Sequence, residues 1–349
     1  LDGGLGNDEL NVNTYSTAEL FGGGGDDRIH SYSSRDVKLF GEDGNDNILA
    51  YVDSHGTQYT DGNYKLNQSA HLDGGAGNDS IEISFNGWNG QGKTFLSATG
   101  GTGNDTINIS GHSQYGNASI SINGGNGQDE IRVSDRYAGT NNGRNGHYGL
   151  KSVAIDAGAD DDTIRVSGGL NTTITTGTGS DTILLTAQQY FSQLDGDREE
   201  RNNNWQITGT ISADPITITD FTTGKGGDIL DYSDLLKNAA HHYSGENPFS
   251  TGHIKLVQSG KDTLFQFDAD GTGDDIQAVT LAVLKNVQAN TLLTTNFNPN
   301  FPPDGSAAQA QLITGTDQGD KLVGGYGHDT ISGRDGDDTI DGQAGSDTI

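Results

Sequence analysis

The sequence predicts an all-β fold in which short parallel strands stack coil upon coil, and two observations predict it. A loop of the form Gly-Gly-x-Gly-Asn-Asp recurs eight times in residues 1–187, ending at positions 8, 27, 46, 79, 105, 129, 162 and 181. A short alternating strand follows each loop, as in Thr106-Ile107-Asn108-Ile109-Ser110. Self-similarity of this kind is the signature of repeat architectures, in which no single repeat buries its own apolar face.

The shortest spacing between loop aspartates is 19 residues, which gives one coil of two nine-residue units with a loop in only one of them. A second alternating strand precedes the next loop, as in Ser119-Ile120-Ser121-Ile122. One coil is therefore loop, strand, turn and strand, and period-2 alternation points one side of each strand inward. We expect Ile107, Ile109, Ile120 and Ile122 to form part of a thin core.

The composition supports an ordered chain that binds cations. There are 48 acidic and 19 basic residues, a net charge of -29, 54 glycines and only 31% hydrophobic residues. Such values are typical of disorder, but aspartates placed in register can be neutralised by metal. Nucleic acid and anionic membranes are poor partners for this surface. The chain has no cysteine and no run of ~18 apolar residues, and it reads as a piece of a longer exported protein.

The loops have the chemistry of a calcium site. Glycine adopts the positive φ of a tight turn without cost, and the closing aspartate supplies a carboxylate. A cage made only of oxygen suits Ca²⁺ rather than zinc or copper. The predicted ligand loops of the first region contain Gly3, Gly6, Asp8, Gly22, Gly25, Asp27, Gly44, Asp46, Gly74, Gly77, Asp79, Gly100, Gly103, Asp105, Gly124, Gly127, Asp129, Asp160, Asp162, Gly179 and Asp181.

These loops resemble the RTX nonapeptide repeats of proteins exported by type I secretion, also called hemolysin-type calcium-binding repeats. The resemblance implies a calcium-stabilised parallel β-roll or β-helix, multiple bound Ca²⁺ ions, and a secreted or cell-surface location. Two departures matter. Only one edge of the roll carries loops in 1–187, and Glu42, Ala157, Asp160 and Thr176 replace loop glycines. Asp160 could supply an extra carboxylate.

The other edge of the roll receives four insertions between the first and second strand of consecutive coils. They are Asp53–Asn67, Phe85–Phe95, Gly111–Asn117 and Asp135–Leu150. Their aromatic residues define a predicted ridge, consisting of Tyr59, Tyr64, Trp88, Tyr115, Tyr137 and Tyr148. Aromatic rings interleaved with amides suit a contact with glycan, protein or a second copy of the chain. The alternative is that the rings only fix long loops onto the roll.

The pattern stops after 187, and we predict a linker at 188–204 and a β-rich module with a short helix at 205–297. Its runs Ile216–Phe221 and Gly226–Asp231 resemble the C-terminal target domain of type I secretion substrates. Asp268 and Asp270 have the spacing of an EF-hand-like calcium loop, but no glutamate stands at its twelfth position.

A second linker at 298–311 leads to four nonapeptides in strict tandem at 312–349. The unbroken period predicts metal loops on both edges of a second roll, closed by Asp320, Asp329, Asp338 and Asp347.

The sequence offers no active site. Gly111-His112-Ser113-Gln114-Tyr115-Gly116 has one residue too many for a nucleophile elbow, and neither HExxH nor a phosphate-binding Gly-x-x-x-x-Gly-Lys occurs. The third loop position varies from Leu5 to Thr178, so no uniform ice-binding row forms. The sequence therefore predicts a non-catalytic calcium-binding segment of an adhesin or of an extracellular matrix or surface-layer assembly. The alternative is a secretion and folding module of an exported hydrolase, toxin or epimerase.

Overall fold

A computed structural model describes residues 1–14, 16–32, 36–53, 67–87, 93–113, 118–135, 150–167, 171–187, 194–195, 198–201, 204–207, 210–211, 215–273, 276–343 and 347–349. Most of this part of the chain is strand. No helix in it is long and apolar enough to cross a membrane.

Two parallel sheets face each other along the first region. Strands that lead into a loop form the first sheet, in the order β1 (Asp2–Leu5), β3 (Thr17–Gly24), β5 (Asp36–Asp43), β7 (Gln68–Ala76), β9 (Thr94–Thr102), β11 (Ala118–Asn126), β13 (Leu150–Ala159) and β15 (Thr172–Thr178). Strands that leave a loop form the second, in the order β2 (Glu9–Asn13), β4 (Arg28–Tyr32), β6 (Asn47–Asp53), β8 (Ser80–Gly87), β10 (Thr106–Ser113), β12 (Glu130–Asp135), β14 (Thr163–Ser167) and β16 (Thr182–Leu184).

Each strand pairs in parallel with its equivalent in the next coil, so the predicted parallel roll is confirmed. Ile107 pairs in register with Ile131, and Ile120 with Val153. The four isoleucines predicted to lie inside are 0–3% exposed, which places them in the continuous core between the sheets. Burying such a side chain contributes about 1.5–3 kcal/mol.

The sheets continue beyond residue 187. Strand β21 (Ile216–Ile218) pairs with β15, and β22 (Ile229–Asp231) pairs with β16. The residues between cover the predicted linker, 188–204, and the start of the predicted module at 205, and they include four short strands in two antiparallel pairs. These are β17 (Leu194–Asp195) with β20 (Thr210–Ile211), and β18 (Arg198–Arg201) with β19 (Asn204–Ile207). The domain boundaries stay predictions, but the hydrogen-bonded sheets extend across them.

The roll ends on an antiparallel hairpin and an aromatic core. Strands β23 (Ile254–Ser259), β24 (Asp262–Phe267) and β25 (Val279–Leu284) complete the first sheet, and β26 (Phe297–Asn298) completes the second. The predicted short helix is α1 (Ser233–Asn238), and two 3-10 turns follow at Ala289–Thr291 and Thr294–Asn296. The buried Tyr232 ring contacts the rings of Phe249, Phe265 and Phe297 at centroid distances of 5.9–6.1 Å.

The tandem nonapeptides form a second, thinner roll. Strand β27 (Leu312–Thr314) pairs in parallel with β29 (Thr330–Ser332), and β28 (Lys321–Val323) pairs with β30 (Thr339–Asp341). Of its inward apolar residues, Ile331 is buried, whereas Ile313, Leu322 and Ile340 are half-buried. Phe301, which precedes this roll in the chain, packs against Tyr326 with ring centroids 4.7 Å apart.

Candidate metal site

The loop aspartates form a continuous ladder along one edge of the first roll. The Oδ1 atom of each aspartate after Asp8 accepts a hydrogen bond from the backbone N–H of the aspartate one coil earlier. For example, Asp79 N–H donates to Asp105 at 2.8 Å, and Asp105 N–H donates to Asp129 at 2.8 Å. The same bond links Asp8 to Asp27, Asp27 to Asp46, Asp46 to Asp79, Asp129 to Asp162 and Asp162 to Asp181.

The second carboxylate oxygen of each rung has no such partner. The Oδ2 atoms of Asp8, Asp27, Asp46, Asp79, Asp105, Asp129, Asp162 and Asp181 are buried and lack a hydrogen bond. An ionised oxygen withdrawn from water without a partner is costly, so buried charges in proteins are paired or bound to metal. The ladder therefore presents a row of oxygen atoms that a cation would satisfy.

Glycine at the first loop position makes room for these oxygens. A Cβ built on Gly74 would collide with Oδ2 of Asp79 and would lie 2.6 Å from the carbonyl oxygen of Gly100 in the next coil. At the fourth position Gly77 has φ +131, a conformation that L side chains rarely adopt. The predicted loop glycines thus keep the carboxylate edge compact.

Burial and mutual repulsion raise the pKa values of the central rungs. The pKa is raised to about 6 at Asp79 and Asp129, to about 7 at Asp105 and Asp181, and to about 8 at Asp162. Loss of hydration is the largest cause, and neighbouring carboxylates add to it. Two full charges about 5 Å apart, one strand spacing, repel by roughly 3 kcal/mol at an effective dielectric constant of about 20. A row of divalent cations would remove this repulsion.

A second ladder precedes the first by one residue and was missed by the sequence reasoning. Its side-chain oxygens accept N–H groups from the following coil, which is the opposite direction: Asp26 N–H donates to Asn7 at 2.9 Å, and Asn104 N–H donates to Asn78 at 2.6 Å. Likewise, Asn45 N–H donates to the Asp26 side chain, Asn78 N–H donates to Asn45, and Gln128 N–H donates to Asn104. The signal was the Asn or Asp that precedes most loop aspartates. These residues hold the loops in register without adding much buried charge.

The imperfect loops keep the backbone of the others. Glu42 has φ +75 and Asp160 has φ +80, so both adopt the left-handed conformation of the glycines they replace. The charge of Asp160 contributes to the raised pKa values of Asp129 and Asp162, which places this exposed carboxylate near both rungs. That position is compatible with the predicted extra ligand.

A ninth rung, Asp228, was also missed, although Gly226-Gly227-Asp228-Ile229-Leu230 carries the loop-and-strand signal. Asp181 N–H donates to its Oδ1 at 3.2 Å. Its Oδ2, unlike those of the earlier rungs, accepts from Thr222 N–H at 2.7 Å and from the Thr176 hydroxyl at 3.2 Å. Thr176, one of the residues that replace a loop glycine, therefore bonds to the end of the ladder.

The tandem roll repeats the ladder on both edges. Asp320 N–H donates to Asp338 Oδ1, and Asp329 N–H donates to Asp347 Oδ1, each at 2.9 Å. In contrast to the first roll, Oδ2 of Asp320 accepts from Thr316 N–H at 2.6 Å, and Oδ2 of Asp329 accepts from Gly325 N–H at 2.5 Å. The four predicted aspartates thus stand in two facing rows.

The predicted EF-hand-like pair lies on the turn after β24. Asp268 is buried, and its Oδ2 accepts from Lys255 Nζ at 2.8 Å. Burial is the largest cause of its raised pKa, and a hydrogen bond to Asp270 adds to it. Among the described residues, no group of three or more His, Cys, Asp or Glu side chains is placed to hold a metal by side chains alone, so a cation at this turn or along the ladder would also need backbone oxygens. Calcium at this turn stays a prediction.

The residues of the first edge fit a hard divalent cation. Each of the eight rungs offers a buried carboxylate oxygen, and its surroundings are backbone and carboxylate oxygens. In the six loops that begin with glycine, a Cβ at the first position would fill the space. Such a donor set matches Ca²⁺. The six aromatic residues of the predicted ridge, in contrast, lie outside the described residues.

Fold and site together define a parallel β-roll with a row of buried carboxylates along one edge. A family model for the RTX calcium-binding nonapeptide repeat (4 copies) matches residues 71–82 and 314–349. The chain thus carries RTX calcium-binding repeats, and such repeats bind calcium and are generally non-catalytic. The match does not include 205–297, so the likeness to a secretion target domain stays a prediction. No curated protein matches the chain.

Proposed function

We propose that the chain is a non-catalytic segment of a secreted protein that folds when calcium fills the aspartate ladder. The observation that carries the proposal is the row of buried Oδ2 atoms without hydrogen-bond partners. In calcium-poor cytosol the carboxylates repel and the chain stays loose enough for type I secretion. At extracellular calcium, which is millimolar, the ions bind between neighbouring rungs and the coils close on one another.

The energetic scale is sufficient for such a switch. A site held at ~100 times its Kd contributes about 2.7 kcal/mol. Native domains are stable by only about 5–15 kcal/mol, so a few filled sites decide whether a roll with a thin core folds.

Calcium titration of the whole chain, followed by far-UV circular dichroism, tests this function. The β signal is expected to rise with calcium and to fall again in EGTA. A β signal already complete in excess EGTA would overturn the proposal.

Two matched variants assign the effect to the ladder. Asp105→Asn keeps an Oδ1 acceptor for Asp79 N–H but removes a buried charge, so the titration midpoint should move to higher calcium. Asp26→Asn changes an exposed carboxylate whose equivalents are Asn45 and Asn78, and the midpoint should not move. Equal shifts in the two variants would mean that calcium acts through net charge alone.

For the parent protein we propose a cell-surface adhesin or an extracellular matrix or surface-layer component. The supporting observation is that the four insertions leave the roll at one edge and at one level. Phe85 pairs in register with Val52 and Gly111, and Gly111 with Asp135. The alternative, an exported hydrolase, toxin or epimerase, needs a catalytic domain elsewhere. Glycan-array binding that is lost in Trp88→Ala and Tyr148→Ala, but kept in Leu5→Ala at the calcium edge, would favour the adhesin.

A further inference from the structure

The ninth loop, residues 219–228, is held by side chains rather than by an open carboxylate edge. Asn296 is fully buried beside it, and its carboxamide bonds to the loop backbone in both directions. Its Oδ1 accepts from Gly224 N–H at 2.8 Å and from Leu293 N–H at 3.1 Å. Its Nδ2 donates to the carbonyl oxygen of Asp228 at 2.9 Å, with Gly224 and Thr222 oxygens at 3.3 and 3.4 Å.

An amide group with these contacts does for the loop what a cation does for a calcium loop. A cation gathers backbone carbonyl oxygens around one positive centre. Here the two N–H bonds of Nδ2 point at three carbonyl oxygens, while Oδ1 satisfies two backbone donors that a cation would leave alone. Removing such a buried group costs the desolvation of every partner left unpaired, about 1–3 kcal/mol each.

The carboxylate of this rung is satisfied in the same metal-free way. Both oxygens of Asp228 accept hydrogen bonds, from Asp181 N–H, Thr222 N–H and the Thr176 hydroxyl. Asp220 accepts two backbone N–H groups at the same corner, from Thr176 at 2.9 Å and from Gly177 at 3.0 Å. Its Oδ1 lies 3.1 Å from the Thr176 hydroxyl oxygen, so the two carboxylates share that one hydroxyl donor. The rung also rests on the aromatic core around Tyr232, which needs no ion.

We infer that the calcium ladder ends on a metal-independent rung, in which Asn296 takes the place of the cation and residues 219–232 stay folded without calcium. Rung eight then stacks on a preformed end, because Ile229 N–H donates to Asp181 O at 2.7 Å and Asp181 N–H donates to Asp228. The inference rests on the proposed function, since it supposes that the earlier rungs need calcium. Asn296 is a positioning residue, not a metal ligand.

Hydrogen–deuterium exchange on the whole chain, in calcium and in EGTA, tests the inference. In EGTA, amides of 222–232 are expected to remain as protected as in calcium, whereas amides around Asp105 exchange freely. Exchange of 222–232 as fast as that around Asp105 would overturn it. Failure of the proposed function gives a different result, in which both regions stay protected in EGTA.

Two variants test the role of Asn296. Asn296→Asp keeps the size and the Oδ1 acceptor but loses the Nδ2 donors, so protection of 222–232 should fall at least tenfold in EGTA and recover in calcium. Asn298→Ala, which removes an exposed bond from Asn298 Nδ2 to Asp231 at 2.7 Å, should leave it unchanged. Protection of 222–232 that is unchanged in Asn296→Asp would overturn the role of Asn296. So would a loss of protection that is as large in calcium as in EGTA, in both Asn296→Asp and Asn296→Ala.

Discussion

The two rolls both stack parallel coils, but they differ in how much apolar core they bury and in how many of their edges carry aspartates. In the first roll, strands of up to ten residues bury a continuous core, and the described loops form one carboxylate row. In the tandem roll, strands of three residues bury little more than Ile331, but aspartates line both edges. Because apolar burial and ion binding both offset the same loss of chain entropy, the roll with less core should depend more on calcium. The hydrogen bonds that Asp320 and Asp329 Oδ2 accept do not make the tandem roll independent of metal, because, unlike the ninth rung, its described residues form no large buried core to rest on.

Calcium withdrawal should therefore separate the two rolls, and this is the largest effect expected. As free calcium is lowered, amides of 321–341 should lose hydrogen-exchange protection at a higher calcium concentration than amides of 106–133. A tenfold difference in midpoint would correspond to about 1.4 kcal/mol. Coincident midpoints would show that the two rolls fold as one unit.

Truncation of a core side chain should destabilise the first roll more than the tandem roll. Ile109→Ala removes a side chain that is 0% exposed, and a loss of about 2–5 kcal/mol is expected. Ile340→Ala in the tandem roll changes a half-buried side chain, so the loss there should be below about 1.5 kcal/mol. Opening free energies from hydrogen exchange in saturating calcium measure both. Asn108→Ala, on the outer face beside Ile109, serves as the control.

The features of the fold and the site that could be predicted from the sequence are those that a local sequence pattern determines. Strand alternation around Ile107 and Ile120 depends only on local pattern, so the parallel coils and their core were predicted correctly. The loop aspartates were found for the same reason, because the turn recurs with its glycines. Asp228 was not predicted as a rung, although Gly226–Asp228 resembles these loops, because residues 188–215 interrupt the repeat between the eighth and ninth rungs.

Features that depend on distant contacts could not be predicted. Asn296 reaches the ninth loop from 68 positions away, through a contact with Asp228 that no local pattern encodes. The partner of each Oδ1, an N–H one coil earlier, is likewise a consequence of stacking. In the tandem roll, the bond from Thr316 N–H to Asp320 depends on the detailed turn, and the repeat pattern alone does not contain it.

The pH dependence of the first roll should change sign with calcium. Its raised carboxyl pKa values, about 7 at Asp105, mean that the metal-free folded state holds protons that the unfolded chain releases above about pH 4. Stability in EGTA is therefore greatest at low pH and is lost as the pH rises through 7. In calcium, protons compete with the ion, so acidification should destabilise the roll. The far-UV circular dichroism signal at pH 5 and pH 8, in calcium and in EGTA, measures this. A β signal that changes with pH in the same direction in both conditions would contradict it.

The smallest expected change in stability comes from replacing, in each roll, a loop residue that has a positive φ. Glu42 in the first roll and Arg334 in the tandem roll have φ +75 and +69, at loop positions where glycine is the usual residue. Glycine would relieve about 1–2 kcal/mol of backbone strain but increases the entropy of the unfolded chain. Glu42→Gly and Arg334→Gly should each gain less than about 1 kcal/mol, measured in saturating calcium. Glu82→Gly, within strand β8, should instead lose about 0.5–1 kcal/mol. Losses at all three positions would show that Glu42 and Arg334 make contacts worth more than the strain they carry.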